Sequence, residues 1–225
     1  MIPPPGTFIF NREGIRAVDR AMIEHHGLPG IVLMEQAGVG VARIVEEQFA
    51  PKNVFIACGR GNNGGDGYAM ARLLMSRGIS TTVLTIGRPK PGTDASVMAE
   101  VAARLQIPQT NDLQRLPEAD LIVDALLGTG LDRPVSHEIA DVILAINRTK
   151  VPVIAVDLPS GLDADAGRPW GHAVQARLTA TLVGWKQGFL HRQADSYTGT
   201  IAVVDLGIPP EIARAHARVE PPGEL

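Results

Sequence analysis

Most of the six short apolar runs in this chain are continuous rather than alternating: residues 54–58, 81–86, 121–125, 153–156, 181–184 and 201–205. A strand that is apolar on both faces has to be buried on both faces. Helical stretches lie between the runs, at residues 67–76, 95–105 and 136–147. Strand, helix and strand repeated in this order predict an α/β fold with a mostly parallel sheet and helices on both sides. Two more helices precede the alternation. Asn11 caps the first, which carries Ile15, Val18 and Met22 on one face and is broken by Gly27, Pro29 and Gly30. The second spans about residues 31–49, with Leu33, Ala37, Val41, Ile44 and Val45 at helical spacing and Pro51 as its stop. Gly38 and Gly40 weaken that helix intrinsically, so another backbone is expected to pass close by. The two helices are expected as an extra layer of one domain spanning residues 1–225, and the polar tail 219–225 reads as a frayed end.

The 225 residues suffice for one sizeable core. A net charge of −3 gives no footprint for nucleic acid or for an anionic membrane. No apolar run approaches the ~20 residues of a membrane helix. The N-terminus has no basic stretch followed by an apolar one, so no secretory leader is expected and the cytoplasm is the expected compartment. Cys58 is the one cysteine. It can form neither an intrachain disulfide nor a thiolate metal cluster, and it reads as a small buried residue ending a strand.

The first run of the alternation leads into Gly59-Arg60-Gly61-Asn62-Asn63-Gly64-Gly65-Asp66-Gly67, and a helix follows. Gly59, Gly61 and Gly64 fit G-x-G-x-x-G in the strand–turn–helix context that dinucleotide binding requires. One departure stands out. A dinucleotide site of the ordinary kind places an acid ~20 residues further on, to hold the ribose hydroxyls. Here that region reads Thr85-Ile86-Gly87-Arg88-Pro89. The loop also carries Asn62, Asn63 and Asp66, and an acid beside a phosphate would repel it. These residues point to a cation or a polar ring as the neighbour. A tight turn with an Asn/Asp helix cap is the plainer alternative.

Three runs end in an acid followed by a turn: Asp124 before Gly128-Thr129-Gly130, Asp157 before Pro159-Ser160-Gly161, and Asp205 before Gly207. Ligands of open parallel sheets bind at the carboxyl ends of the strands, so Asp124, Asp157 and the Asn62–Asp66 loop are expected to converge on one crevice. Asp205 belongs to the last strand, expected at the sheet edge. Each acid alone could instead cap a turn. Hard oxygen donors from Asn63, Asp124 and Ser160 would suit a monovalent cation better than Ca²⁺. Lys186 follows an apolar run and reads first as a surface lysine, with contact to an anionic ligand as the alternative. The six histidines show no metal-ligand spacing, and Ser160 lacks the G-x-S-x-G elbow of a hydrolase.

The chain resembles the NAD(P)H-hydrate epimerase family, which has the YjeF N-terminal domain fold. The likeness lies in Leu33-Met34-Glu35-Gln36-Ala37-Gly38, in Gly61-Asn62-Asn63-Gly64-Gly65-Asp66-Gly67, in Val123-Asp124-Ala125 with Gly128-Thr129-Gly130, and in Asp157-Leu158-Pro159-Ser160-Gly161-Leu162-Asp163. Lys186 with Gly188, and Asp205-Leu206-Gly207-Ile208-Pro209, extend it over about residues 11–210. The resemblance implies a Rossmann-like three-layer α/β/α fold. It implies a hydrated NADH or NADPH substrate (NADHX or NADPHX) held by Asn62, Asn63, Gly64, Gly65 and Asp66, by Gly128, Thr129, Gly130, Leu131, Asp132, Arg133 and Pro134, and by Asp157. It implies one potassium ion on Asn63, Asp124 and Ser160, a homodimer, and a dehydratase partner that here is a separate protein or absent.

Epimerisation of a hydroxyl beside a ring nitrogen needs an acid/base group in a preorganised polar pocket, and Asp157 is the first choice. Two rival readings remain. A nicotinamide-dependent dehydrogenase would explain the glycines but not the missing ribose acid. A non-catalytic binding module of the same fold would tolerate loss of Asn62, Asn63, Asp66, Asp124, Asp157 and Ser160, all of which are present.

Overall fold

The computed structural model describes residues 2–218, so the tail expectation for 219–225 lies outside the described residues. Strand β1 (Ile9–Phe10) is followed by α1 (Arg12–Arg20), whose start is capped as expected: Asn11 Oδ1 accepts from the Gly14 amide at 2.8 Å. Helix α2 (Gly30–Gln48) comes next, then β2 (Asn53–Cys58), α3 (Asn62–Ser76), β3 (Ser80–Thr85), α4 (Asp94–Arg104) and β4 (Gln109–Thr110). The second half runs β5 (Leu121–Ala125), α5 (His137–Arg148), β6 (Val153–Val156), β7 (Leu178–Leu182), β8 (Trp185–Lys186), α6 (Asp195–Thr198), β9 (Thr200–Val204) and α7 (Pro210–His216).

Seven strands form one sheet in the order β4-β3-β2-β5-β6-β7-β9, and every pairing is parallel. Alternate residues of each strand serve opposite layers. Val54, Ile56 and Cys58 face a core shared with α2, α3 and α4, while Phe55 and Ala57 face one shared with Leu116 and with Val142, Ile143 and Ile146 of α5. Helices on both faces give the expected Rossmann-like α/β/α sandwich. The N-terminal helices are additions to the alternation, but α2 forms no layer of its own: Leu33, Ala37 and Val41 enter the same core as α3. Its glycines explain how. A Cβ at Gly38 would lie 2.9 Å from Ala69 Cβ, and one at Gly40 would lie 2.2 Å from Val204 Cγ1.

Two boundaries depart from expectation. The run placed at residues 181–184 is strand β7, which begins earlier and ends at Leu182. Thr179 and Thr181 disguise its start; both are buried, with hydroxyls bonded to the Thr198 and Gly184 carbonyls. Beyond Leu182 the chain turns and pairs β8 with β1 in a separate two-stranded sheet. Helix α3 begins at Asn62 rather than at residue 67, so the asparagines are its first turn and not a loop before it.

Candidate active site

Strand β2 is flanked by β3 on one side and β5 on the other, and the strand order reverses between β2 and β5. That switch point is where an open parallel sheet presents a crevice beyond its carboxyl ends. The crevice here is a cleft of about 700 Å³. Asp19 of α1, Leu33 and Met34 of α2, Asn62, Asn63 and Asp66 of α3, every residue from Gly128 to Pro134, and Asp157 all line it.

The three glycines of the first loop divide their work. A Cβ at Gly59 would stand 1.9 Å from the Leu126 carbonyl oxygen, and one at Gly64 would stand 2.0 Å from that of Gly59. Both therefore permit backbone-to-backbone packing. A Cβ at Gly61 would meet nothing within 4 Å, and Gly61 lines the cleft. Gly65 packs under Met34, whose Cε would be 2.6 Å from an added Cβ. Gly64 and Gly65 thus bring the helix start into place without lining the cleft.

Asp124 and Ser160 are fully buried beside the cleft rather than on its wall. The Ser160 hydroxyl donates to Asp124 Oδ1 at 2.5 Å, the Ser160 amide donates to Oδ2 at 2.7 Å, and the Leu126 amide donates to Oδ1 at 3.3 Å. Ser160 Oγ in turn accepts from the Leu127 amide at 2.8 Å. All of these partners are neutral. Burial pushes the Asp124 carboxyl up to about 6, against the pull of its hydrogen bonds. Asn63 is buried on the cleft wall, and its Nδ2 has no hydrogen-bond partner. Among the described residues no cluster of three His, Cys, Asp or Glu side chains could hold a metal. Any ion here would rest on one carboxylate and neutral oxygens.

Asp157 forms the other half of the site. Lys186 Nζ lies 2.6 Å from Asp157 Oδ1, and the Leu182 amide donates to the same oxygen at 3.3 Å. Lys186 is fully buried, which corrects its reading as a surface lysine. Its ammonium is satisfied by Asp157 together with Thr181 Oγ1 at 2.9 Å, the Leu182 carbonyl at 3.0 Å and the Gly184 carbonyl at 3.2 Å. The backbone is bent to make this possible. Asp157 and Val183 both have φ of +66°, and each is the centre of an i→i+2 turn: Leu158 N to Val156 O at 2.8 Å, and Gly184 N to Leu182 O at 2.7 Å. Such γ-turns with positive φ are rare and strained, and for a β-branched valine the conformation is an outlier. Strain of this kind gathers where a site over-determines the chain.

Two more carboxyls stand with Asp157. Burial, then the charges of Asp157 and Asp19, push the Asp66 carboxyl well above the usual carboxylate range. Asp19 is raised to about 6 by burial and then by the charge of Asp157, with Lys186 acting against them. Its side chain nevertheless reaches solvent at the cleft mouth. Asp19 went unnoticed in the sequence, although a signal exists. It lies four residues after Ile15 and three before Met22, and so interrupts the apolar stripe of α1. Asp205 follows the edge strand β9, and its Oδ1 accepts from the Gly207 amide at 2.8 Å; it caps a turn and does not line the cleft. Cys58 is fully buried, and burial raises its thiol pKa, so it offers no nucleophile.

Residues 30–188 match the family model described as YjeF-related protein N-terminus. The chain is 43% identical over 203 residues to the NAD(P)H-hydrate epimerase of Limosilactobacillus reuteri (strain ATCC 55730 / SD2112), covering 88% of this chain and 96% of that protein. It is 36% identical over 206 residues to the protein of the same name from Rhodopirellula baltica, covering 89% and 84%. It is 37% identical to the bifunctional NAD(P)H-hydrate repair enzyme Nnr of Salinibacter ruber over 87% of this chain, which spans 40% of that longer protein. The crystal structure of yeast ynu0 superposes with a TM-score of 0.84 at 26% identity, covering 96% of each chain.

Proposed function

The chain belongs to the family of YjeF-related N-terminal proteins, and from that membership we infer that it is an NAD(P)H-hydrate epimerase, an isomerase that interconverts the two epimers of hydrated NADH or NADPH. The observation that carries the reading onto this cleft is the buried Lys186–Asp157 pair facing the first turn of α3. In the substrate a hydroxyl sits on the ring carbon next to the ring nitrogen. The nitrogen lone pair expels it once an acid has protonated it. The resulting iminium is planar, and water can return to either face. Asp157 exchanges a proton with the departing or incoming oxygen at that carbon, and Lys186 holds its carboxylate in place. Asn62, Asn63 and Asp66 on one side and residues 128–134 on the other bind the nucleotide. The absence of an acid from residues 85–93, directly after β3, argues against a dehydrogenase, because the ribose has no carboxylate there to hold it.

A potassium ion fits the donors beside this wall. One buried carboxylate without a cationic partner, a buried hydroxyl and the side-chain oxygen of buried Asn63 form a weakly charged, hard-oxygen set. Asn63, Asp124 and Ser160 would hold it. Bound there, it would supply a fixed positive charge that orders the segment after β5 against the substrate. A homodimer acting in the cytoplasm beside a separate dehydratase completes the reading. Among the described residues no helix is long and apolar enough to cross a membrane.

The assay presents the epimer that an S-specific dehydratase refuses, adds that dehydratase, and follows recovery of reduced-cofactor absorbance. Recovery well above the spontaneous rate is expected. Asp157→Asn should lower it ~10²-fold or more while leaving the fold intact. Folded wild-type protein that leaves recovery at the spontaneous rate would sink the epimerase reading.

A further inference from the structure

We propose that Asp19 is a second catalytic residue of this cleft, serving the face of the substrate ring opposite to the one served by Asp157; the proposal rests on the epimerase reading. The chemistry asks for two groups. On the face where the hydroxyl departs, an acid must deliver a proton. On the face where water enters, a base must remove one. A single carboxylate fixed at the end of β6 reaches one face. A second group has to arrive from another element, and it must have a proton to give.

Asp19 meets both conditions. It comes from α1 while Asp157 comes from the end of β6, and both line the same cleft. Helix α1 is held firmly at its start. The Arg12 amide donates to Asp165 Oδ1 at 2.7 Å, and Arg12 Nη2 lies 3.2 Å from Asp163 Oδ2. Both acids belong to the segment that follows Asp157 and Ser160, so the start of α1 is tied to the chain that carries the base. The charged groups around Asp19 are Arg16 on its own helix, Asp66 on α3, Asp157 after β6 and Lys186 on β8. Asp157 is already paired with the one buried ammonium of the group. Asp19 has no ion pair among the described residues, and burial and then the charge of Asp157 raise its carboxyl to about 6.

The step balances without a redox partner. The carbon–oxygen bond breaks as Asp19 gives its proton to the hydroxyl, which leaves as water. A new carbon–oxygen bond forms on the other face as Asp157 takes the proton of the incoming water. The proton then returns to Asp19 by way of solvent, to which Asp19 is open. The reverse reaction exchanges the two roles.

The test reads epimerisation and oxygen exchange together, using purified protein, each hydrated-cofactor epimer and ¹⁸O-labelled water. Asp19→Asn is expected to lower epimerisation ~10²-fold, with a melting temperature near that of the wild type, since the side chain is exposed. The epimer whose hydroxyl faces Asp157 should still exchange its oxygen faster than it does spontaneously, and Asp19→Glu should recover part of the epimerisation. Epimerisation by Asp19→Asn within about threefold of the wild type would overturn the proposal. So would equal loss of exchange at both epimers, which would make Asp19 a support for α1 only. Wild-type protein that accelerates neither process would instead remove the epimerase reading beneath it.

Discussion

Replacing Lys186 by methionine removes an ammonium that serves four oxygens and keeps most of the aliphatic stem. Because Lys186 is fully buried, water cannot take over its role. Breaking one side of a buried ion pair costs ~3–5 kcal/mol, chiefly because the other charge is left unpaired. Asp157 is not wholly stranded. It keeps the Leu182 amide at 3.3 Å and is 8% exposed, which favours the lower part of that range. A loss of ~3–4 kcal/mol, at roughly 2–4 °C per kcal/mol for a chain of this size, lowers the melting temperature by ~6–16 °C. Urea unfolding followed by circular dichroism at pH 7 measures the free energy, and calorimetry measures the temperature. The double variant with Asp157→Asn is expected to be more stable than the sum of the single losses by ~0.5–3 kcal/mol, because the two groups share one interaction. A single variant within about 1 kcal/mol of the wild type, or a strictly additive cycle, would refute the claim that this pair is desolvated and coupled.

Three further outcomes follow from the same geometry. Potassium chloride at ~100 times its Kd should stabilise the protein by about 2.7 kcal/mol in a thermal-shift titration, and Asp124→Asn should abolish the gain; an equal gain in the variant would move the ion elsewhere. Gly64→Ala should be poorly folded, because its Cβ would stand 2.0 Å from a backbone oxygen, whereas Gly61→Ala should melt like the wild type and weaken ligand binding alone. Asp163 has its pKa lowered: burial would raise it, but the Ala166 and Asp165 amides, Trp170 Nε1 and Arg12 outweigh burial. Its contribution is therefore present above the ordinary 3.8 and is lost as pH falls through the lower folded value. Asp163→Asn should be less stable by about 2 kcal/mol at pH 7 and should decline less steeply in acid, as read from denaturation midpoints between pH 7 and 3.

The central alternation was legible because buried parallel strands are written as unbroken apolar runs; β2, β5 and β6 lie almost where those runs lie. The short strands β1, β4 and β8 carry too few residues for any period to show. The start of α3 was hidden by its glycines, which read as loop residues; their real constraint is the approach of other backbones, visible only in three dimensions. The expected convergence of Asp124, Asp157 and the asparagines followed from strand ends alone. Lys186 did not, because long-range pairing decides whether a lysine is buried, and its partner lies 29 positions away (186 − 157) in another strand end. Asp19 escaped because an acid on an amphipathic helix is ordinarily solvated.

The γ-turn at Asp157 also bears on how this fold can change by mutation. At a φ of +66° glycine, asparagine and aspartate sit with the least penalty, so most other replacements there would disturb the chain as well as the carboxylate. The two that would not, asparagine and glycine, are each one base away from an aspartate codon, and neither can carry a proton for the reaction. A lineage can therefore lose the chemistry in a single step and keep the turn, with the buried Lys186 left unpaired until a second change neutralises it. Enzymes and silent binders built on this scaffold are close neighbours for that reason, and residue 157 is the position at which to tell them apart.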